Sequence, residues 1–315
     1  MAVAARRGQA VEATSSWRPL DRLALGACWV AGLLLCAIAA AIVVYMGYKG
    51  LQFLRPHLLW DRPVADTDQR ASGGFLDPLI GTVLLTTLGT VIALPLGVAT
   101  AVWLAEFGRP APLARAVESG VEVIAGTPDI VLAIFGLVLF QQSLFGFLSF
   151  TAEGNAVFGR SFLTAGCMMA LVALPFVVGG TREALQSIPR HVREASYALG
   201  KTKAATIRRV LLPASRPGIV TGTILGMGRI IGDTAIVVIL LGATLQLQRV
   251  EGPPIIGDLR GTGSTLTSYV YNNSPAGEGN APEKAYAAAF VLLIVVVGLN
   301  LVAGRIGSAR AAWRI

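Results

Sequence analysis

Long apolar segments separated by short polar ones dominate the chain. About 20 apolar residues are needed to cross a bilayer core of about 30 Å. Such segments lie at residues 23–48, 78–105, 130–152, 162–181, 217–248 and 285–304, and the third of them extends back toward Ser119. They are too long and too uniformly apolar for the strands of a barrel. The pattern therefore predicts an all-α membrane protein with six transmembrane helices.

Composition agrees with this pattern. Apolar residues make up 54% of the 315 positions, charged residues only 14%, and the mean hydropathy is +0.65. An ordinary soluble domain carries about a quarter charged residues, so these values exclude a soluble globular enzyme and a disordered chain. The two His and three Cys residues form no cluster typical of a metal site or of a disulfide framework, and we expect neither.

The basic residues predict the orientation in the membrane. The net charge is +8, and cytoplasmic loops of membrane proteins carry an excess of Lys and Arg. With the N-terminus inside, most of the 26 Lys and Arg residues fall on the cytoplasmic side. We therefore expect both termini in the cytoplasm, the reversed topology being the alternative. The predicted order is a tail (1–22), a first transmembrane helix (23–48), an outer loop (49–77), a transmembrane core (78–304) and a second tail (305–315).

The polar segment between the fourth and fifth predicted spans is the most informative loop. Pro189 is suited to open a helix that runs to Leu199, and Gly200 is suited to the left-handed backbone that ends it. A second helix is predicted from about Thr202 to Leu211, stopped by Pro213. Two short amphipathic helices of this kind fit a groove on a soluble partner. The alternative is a basic helix pair that lies on the membrane surface.

One motif in this loop is misleading. Gly200, Lys201 and Thr202 match the end of the phosphate-binding loop G-x-x-x-x-G-K-[ST], but Ala195 stands where the first Gly is required. That motif also needs a preceding strand, and the context here is helical and next to the membrane. We expect no ATP or other cofactor to bind to this chain.

Two charges interrupt the fifth predicted span. Arg229 and Asp233 are four residues apart, so their side chains can meet on one helix face. One interpretation is a structural pair that neutralises itself. The other is a site for a tetrahedral oxyanion, because arginine matches an oxyanion with its donor fork. A buried carboxylate also favours an anion that carries a proton, since an unsatisfied acceptor costs about 1–3 kcal/mol.

Asp129 is a third candidate. Thr127 can cap a helix that begins at Pro128, and an acidic residue in the first turn is favoured by the helix dipole. Asp129 is then structural, at a helix break. Otherwise it pairs with Arg229 or faces the transport pathway.

The loop at 185–216 resembles the E-A-A-x-x-x-G-x9-I-x-L-P segment of membrane subunits of ATP-binding cassette (ABC) importers. This chain departs from that pattern at two positions, with Ser196 in place of the second Ala and Val210 in place of Ile. The corresponding residues here are Glu194, Ala195, Ser196, Gly200, Val210, Leu212 and Pro213. The resemblance implies a type I, MetI-like permease fold over roughly residues 78–304. It also implies that this loop docks on a separate ATP-hydrolysing subunit.

A second resemblance concerns the substrate. The segment from Arg229 to Ala235 resembles R-x-x-G-E-T-A of phosphate-specific ABC permeases of the PstA and PstC type, with Asp233 in place of Glu. Residues 125–131 are similar to the family's A-G-x-P-S-I-V, with Asp129 in place of Ser, and the compact length is more similar to PstA. The resemblance implies that Arg229, Asp233 and Thr234 meet the transported phosphate.

The two resemblances together imply a non-enzymatic transport subunit in the inner (plasma) membrane of a bacterium. Its implied partners are a homologous PstC-like permease, PstB-like ATP-binding subunits that hold ATP and Mg²⁺, a PstS-like phosphate-binding protein and membrane lipid, with no nucleic acid. Three alternatives remain at this point. They are an importer of another oxyanion (phosphonate, sulfate or molybdate), a secondary transporter, and a membrane scaffold.

Overall fold

The computed structural model describes residues 19–64, 73–108, 110–149, 157–242, 245–248, 254–275, 277, 279 and 281–308. Within these ranges the regular structure is helical, apart from isolated bridge residues such as Gln248 and Thr262, which pair in antiparallel fashion. The predicted all-α fold is confirmed. The predicted tails fall mostly outside the described residues, which begin at Pro19 and end at Ser308.

The first helix, α1 (Pro19–Phe53), contains the predicted span at 23–48. Of the described residues, those up to Lys49 make up one compact unit and those from Gly50 onward a second. No side chain in the most apolar window of α1 is buried. A helix that is apolar all round and exposed in this way is suited to a lipid environment.

Three further helices match predicted spans. They are α2 (Leu76–Val102), which continues as a π-helical turn at Trp103–Phe107, α5 (Phe162–Ser187) and α12 (Pro282–Ser308). Each is long and apolar enough to cross a membrane. The second, fourth and sixth predicted spans therefore each correspond to a single helix.

The third predicted span is not one helix. It consists of α3 (Ala111–Gly126) and α4 (Asp129–Phe140), which meet at an angle of 109°. Pro128 has no N–H to donate and disfavours helical backbone at the residue before it. Thr127 accordingly has extended dihedrals (φ −80°, ψ 132°), so the predicted extension of this span toward Ser119 as one helix is wrong. The predicted helix at 130–152 is also too long, because α4 ends at Phe140.

The fifth predicted span, 217–248, is also interrupted. Helix α9 (Arg216–Gly232) ends at Asp233, whose backbone is extended (φ −77°, ψ 132°). A short helical segment (235–241) follows and ends at Gly242 with φ +93°. In the described part, four helices are long enough to cross a membrane, or five if α3 and α4 count as one. A sixth crossing falls to α9 and the segment after it, so six spans stays a prediction.

Three short helices complete the loop between α5 and α9, namely α6 (Arg190–Ala198), α7 (Lys203–Thr206) and α8 (Leu212–Ala214). A π-helical turn at Ile207–Leu211 joins α7 to α8. Two more, α10 (Pro254–Arg260) and α11 (Leu266–Asn273), precede α12.

Helix α5 forms the centre of the second unit and packs against both α2 and α9. Glycines allow the close approach of α9. A Cβ atom on Gly222 would lie 2.6 Å from the carbonyl oxygen of Phe176, and one on Gly180 would lie 2.9 Å from Cα of Gly222. Small residues thus bring α5 and α9 close together at Gly222. Gly228 and Gly232 make no such approach, because no atom outside their own stretch of backbone lies within 4 Å of a Cβ placed on either.

This packing predicts different effects for two glycine substitutions in α9. Gly222→Ala places a methyl group against fixed backbone of α5, and overpacking typically destabilises by about 1–3 kcal/mol. Gly228→Ala meets open space and replaces a poor helix former. We expect Gly222→Ala to lower the midpoint of thermal unfolding in detergent and Gly228→Ala to leave it unchanged or raise it. Equal midpoints for the two variants would contradict the α5–α9 contact.

Candidate functional site

Arg229 lies in the last turn of α9, and its guanidinium donates to both carboxylate oxygens of Asp129, the first residue of α4. The expected pairing of Arg229 with Asp233 is therefore wrong. The spacing of four residues brings side chains together only within a helix, and α9 ends before Asp233. The partner instead comes from the break between α3 and α4.

Asp129 combines two of the roles that the sequence left as alternatives. It begins α4, where an acidic residue is favoured by the helix dipole, and it also pairs with Arg229. The predicted cap by Thr127 is wrong, because the Thr127 hydroxyl donates to the carbonyl of Val123 at 2.6 Å. Pro128 occupies the N-cap position of α4 and makes no side-chain cap.

Asp233 is buried, with 3% of its surface exposed. Its Oδ1 accepts a hydrogen bond of 2.8 Å from the N–H of Ile236, the second residue of the next helical segment. This local bond competes with continuation of α9 and explains the break. The Asp233 carbonyl also accepts from the hydroxyl of Thr267, at 3.3 Å.

The three charged groups form one cluster, which we call the charge cluster (Asp129, Arg229 and Asp233). The carboxyl groups of Asp129 and Asp233 are neighbours, and Arg229 acts electrostatically on both. The Arg229 side chain is 39% exposed and that of Asp129 is 25% exposed, so the cluster opens on one side. Thr234 adjoins it and is half-buried. The arrangement places a guanidinium and one carboxylate at the open side of the cluster, with the second carboxylate buried beside them.

The second predicted site, the loop between α5 and α9, largely follows its prediction. Pro189 precedes α6, and Gly200 has φ +74°. The Thr202 side chain accepts from the N–H of Ala205 and caps α7. The predicted stop at Pro213 is wrong, because Pro213 lies in the first turn of α8, where its missing N–H is tolerated.

The loop residues divide into exposed and internal ones. Glu194, Ala195 and Gly200 are exposed. Ser196 is buried, and its hydroxyl lies 2.9 Å from that of Thr206, joining α6 to α7. Leu212 and Pro213 are half-buried. The exposed group forms a surface that a partner can reach, while the internal group shapes the loop.

The sequence reasoning missed two exposed apolar residues beside this surface. Leu199 is 79% exposed and Tyr197 is 42% exposed, at the end of α6. The sequence did carry a signal for them, because large apolar side chains stand here in the otherwise polar sequence of α6.

Comparison with known proteins gives the family. The family described as binding-protein-dependent transport system inner membrane component matches residues 93–309. The phosphate transport system permease protein PstA 1 of Mycobacterium tuberculosis (strain CDC 1551 / Oshkosh) is 33% identical over 238 residues, covering 76% of this chain and 72% of the relative. The phosphate transport system permease protein PstC of Mesorhizobium japonicum is 28% identical over 249 residues, covering 74% and 72%.

Two solved structures share the fold. The MetNI methionine ABC transporter in an inward-facing conformation has a TM-score of 0.57 at 21% identity, covering 75% of this chain and 96% of that one. A bacterial alginate ABC transporter, in complex with an alginate pentasaccharide-bound periplasmic protein, has a TM-score of 0.59 at 16% identity, covering 93% and 98%. At these identities the likeness concerns the fold alone.

The family match covers more than half of the chain, and the predicted resemblance to ABC permeases is confirmed. The chain belongs to the family of inner membrane components of binding-protein-dependent transport systems and is a homologue of the PstA and PstC permeases.

Proposed function

We propose that this chain is the permease subunit of an ATP-driven importer of inorganic phosphate and forms half of its translocation pathway. The observation that carries the proposal is the charge cluster, in which a half-exposed guanidinium is held by one carboxylate beside a second, buried one. The names of the relatives from Mycobacterium and Mesorhizobium support phosphate as the substrate.

In this proposal the chain performs no covalent chemistry. A homologous PstC-like permease completes the pathway, PstB-like subunits bind ATP and Mg²⁺ and hydrolyse the ATP, and a PstS-like protein delivers phosphate from outside. The chain itself holds no cofactor. The exposed residues Glu194, Ala195 and Gly200 meet the ATP-binding subunit, and both termini lie in the cytoplasm of a bacterial cell.

We expect recognition of the anion to involve an exchange of partners at Arg229. In the described state, one terminal nitrogen of the guanidinium donates to both carboxylate oxygens of Asp129. An incoming phosphate takes its place and accepts from the same planar fork, which suits a tetrahedral oxyanion. A proton on the phosphate donates to Asp233, and the Thr234 hydroxyl donates to another phosphate oxygen. Sulfate carries no such proton at neutral pH and leaves the carboxylate unsatisfied.

The first prediction from the proposed function concerns Arg229. Arg229→Ala removes the sole cation of the charge cluster and leaves two neighbouring carboxylates, which repel an anion. We expect uptake of radiolabelled phosphate to fall by about a hundredfold or more, the effect of losing a charge-assisted bidentate contact of about 3 kcal/mol. Arg115→Ala, an exposed arginine of α3, is the matched control and should keep normal uptake. Normal uptake by Arg229→Ala, at equal protein level, would contradict the pathway role.

The second prediction concerns selectivity at Asp233. Asp233→Asn supplies an N–H donor that sulfate can use, whereas Asp233→Glu retains the charge and an acceptor. With purified transporter in the absence of the binding protein, we expect Asp233→Asn to reduce the preference for phosphate over sulfate by about tenfold, as one unpaired buried acceptor implies. Asp233→Glu should retain the preference. The preference is measured as the ability of unlabelled sulfate, compared with unlabelled phosphate, to compete with labelled phosphate. If Asp233→Asn has the same preference as the unsubstituted protein, Asp233 does not belong to the recognition site.

A further inference from the structure

A second charged group, remote from the charge cluster in sequence, lies where the loop meets the core helices. Glu106 is in the π-helical turn that ends α2, and its side chain is only 8% exposed. It accepts a hydrogen bond of 3.1 Å from Nε of Arg193, a residue of α6 that is 20% exposed. Ion pairs at this degree of burial are screened far less than those on the surface.

The Arg193 guanidinium also holds the end of α5. One of its terminal nitrogens donates to the carbonyl of Ile188 at 2.6 Å and the other to that of Leu185 at 2.7 Å. Carbonyls at a helix C-terminus have no partner within the helix, so the guanidinium satisfies them. A single planar group thereby joins α2, α5 and α6.

Lys203 fixes the other half of the loop to the same turn. Its ammonium donates to the carbonyl of Glu106 and lies 4.0 Å from the ring centroid of Phe107. A cation over an aromatic face is attracted by the ring quadrupole. Beneath these contacts a small apolar cluster, with Leu185 and Leu211 fully buried, packs against Val102 of α2. Both α6 and α7 are thus attached to one turn of α2.

We infer that Glu106, Arg193 and Lys203 form a clamp that makes the loop move as one body with α2 and α5. The inference rests on the proposed docking of this loop on an ATP-binding subunit. A displacement imposed on the exposed face of α6 then reaches α5 directly. Helix α9, which carries Arg229, packs against α5 through the Gly180 and Gly222 contact. Arg193 and Glu106 are positioning residues, since neither belongs to the charge cluster.

The substitution Arg193→Lys separates geometry from charge. Lysine retains the positive charge, but its ammonium is a point donor that cannot match three acceptors in the plane of the guanidinium. Glu106→Gln retains the shape and removes the charge. Arg190→Ala is the matched control, because Arg190 is an exposed arginine on the same helix.

The test uses the complete transporter in proteoliposomes, with spin labels at exposed positions His191 of α6 and Ala99 of α2 after replacement of Cys28, Cys36 and Cys167. We expect a narrow distance distribution with and without ATP in the unsubstituted protein and in Arg190→Ala. We expect a broad one in Arg193→Lys and Glu106→Gln. A narrow distribution in both clamp variants would overturn the inference.

A second measurement on the same samples is the amount of phosphate moved per ATP hydrolysed. We expect a fall of about tenfold in Arg193→Lys with ATP hydrolysis retained, a value within the range of coupling between sites. A parallel fall of hydrolysis and transport would mean a folding or docking defect and would also overturn the clamp. If the unsubstituted protein does not move phosphate, the proposed function is contradicted instead. The distances between the spin labels would still show whether the clamp exists.

Discussion

The structure depends on the need to pair a permanent positive charge inside a membrane segment. Arginine stays protonated at any physiological pH, and an unpaired charge near the centre of a bilayer is costly. Asp129 meets this need from a helix break on another part of the chain, and Asp233 lies beside it. The ion pair joins α4 to α9 and leaves the guanidinium half-exposed. The ion pair neutralises Arg229, and the exposed part of the guanidinium remains within reach of an anion. Such a pair is suited to an anion pathway.

The remaining architecture connects this pair to the loop on which we propose that the ATP-binding subunit acts. Helix α5 packs against α2 and α9 over their lengths, and glycines remove the side chains that would hold α5 and α9 apart. At the end of α5, Arg193 joins the loop to the same helix and to α2. Direct contacts therefore run from the loop through α5 to α9, which carries Arg229. Chains of packed residues and hydrogen bonds of this kind can carry energetic coupling between distant sites.

The sequence predicted those features that depend on neighbouring residues. Long apolar runs gave α1, α2, α5 and α12, and Pro189 and Gly200 bounded α6. The break at Asp233 was missed, since hydropathy averages over a single extended residue. The break at Pro128 was one of the alternatives that the sequence offered for Asp129. The partner of Arg229 could not be settled from the sequence, because Asp129 is 100 positions away. Glu106 and Arg193 are 87 positions apart, and nothing local to either predicts that contact. Long-range pairing of charges requires the fold.

A structure of the assembled transporter with phosphate trapped in the pathway, determined by cryo-electron microscopy, tests the central claim most directly. The account predicts phosphate density within hydrogen-bond distance of the Arg229 guanidinium, with Asp129 withdrawn from it and Asp233 on the side of the phosphate proton. Density for the anion elsewhere, with Arg229 still held by Asp129 or turned toward lipid, would contradict it.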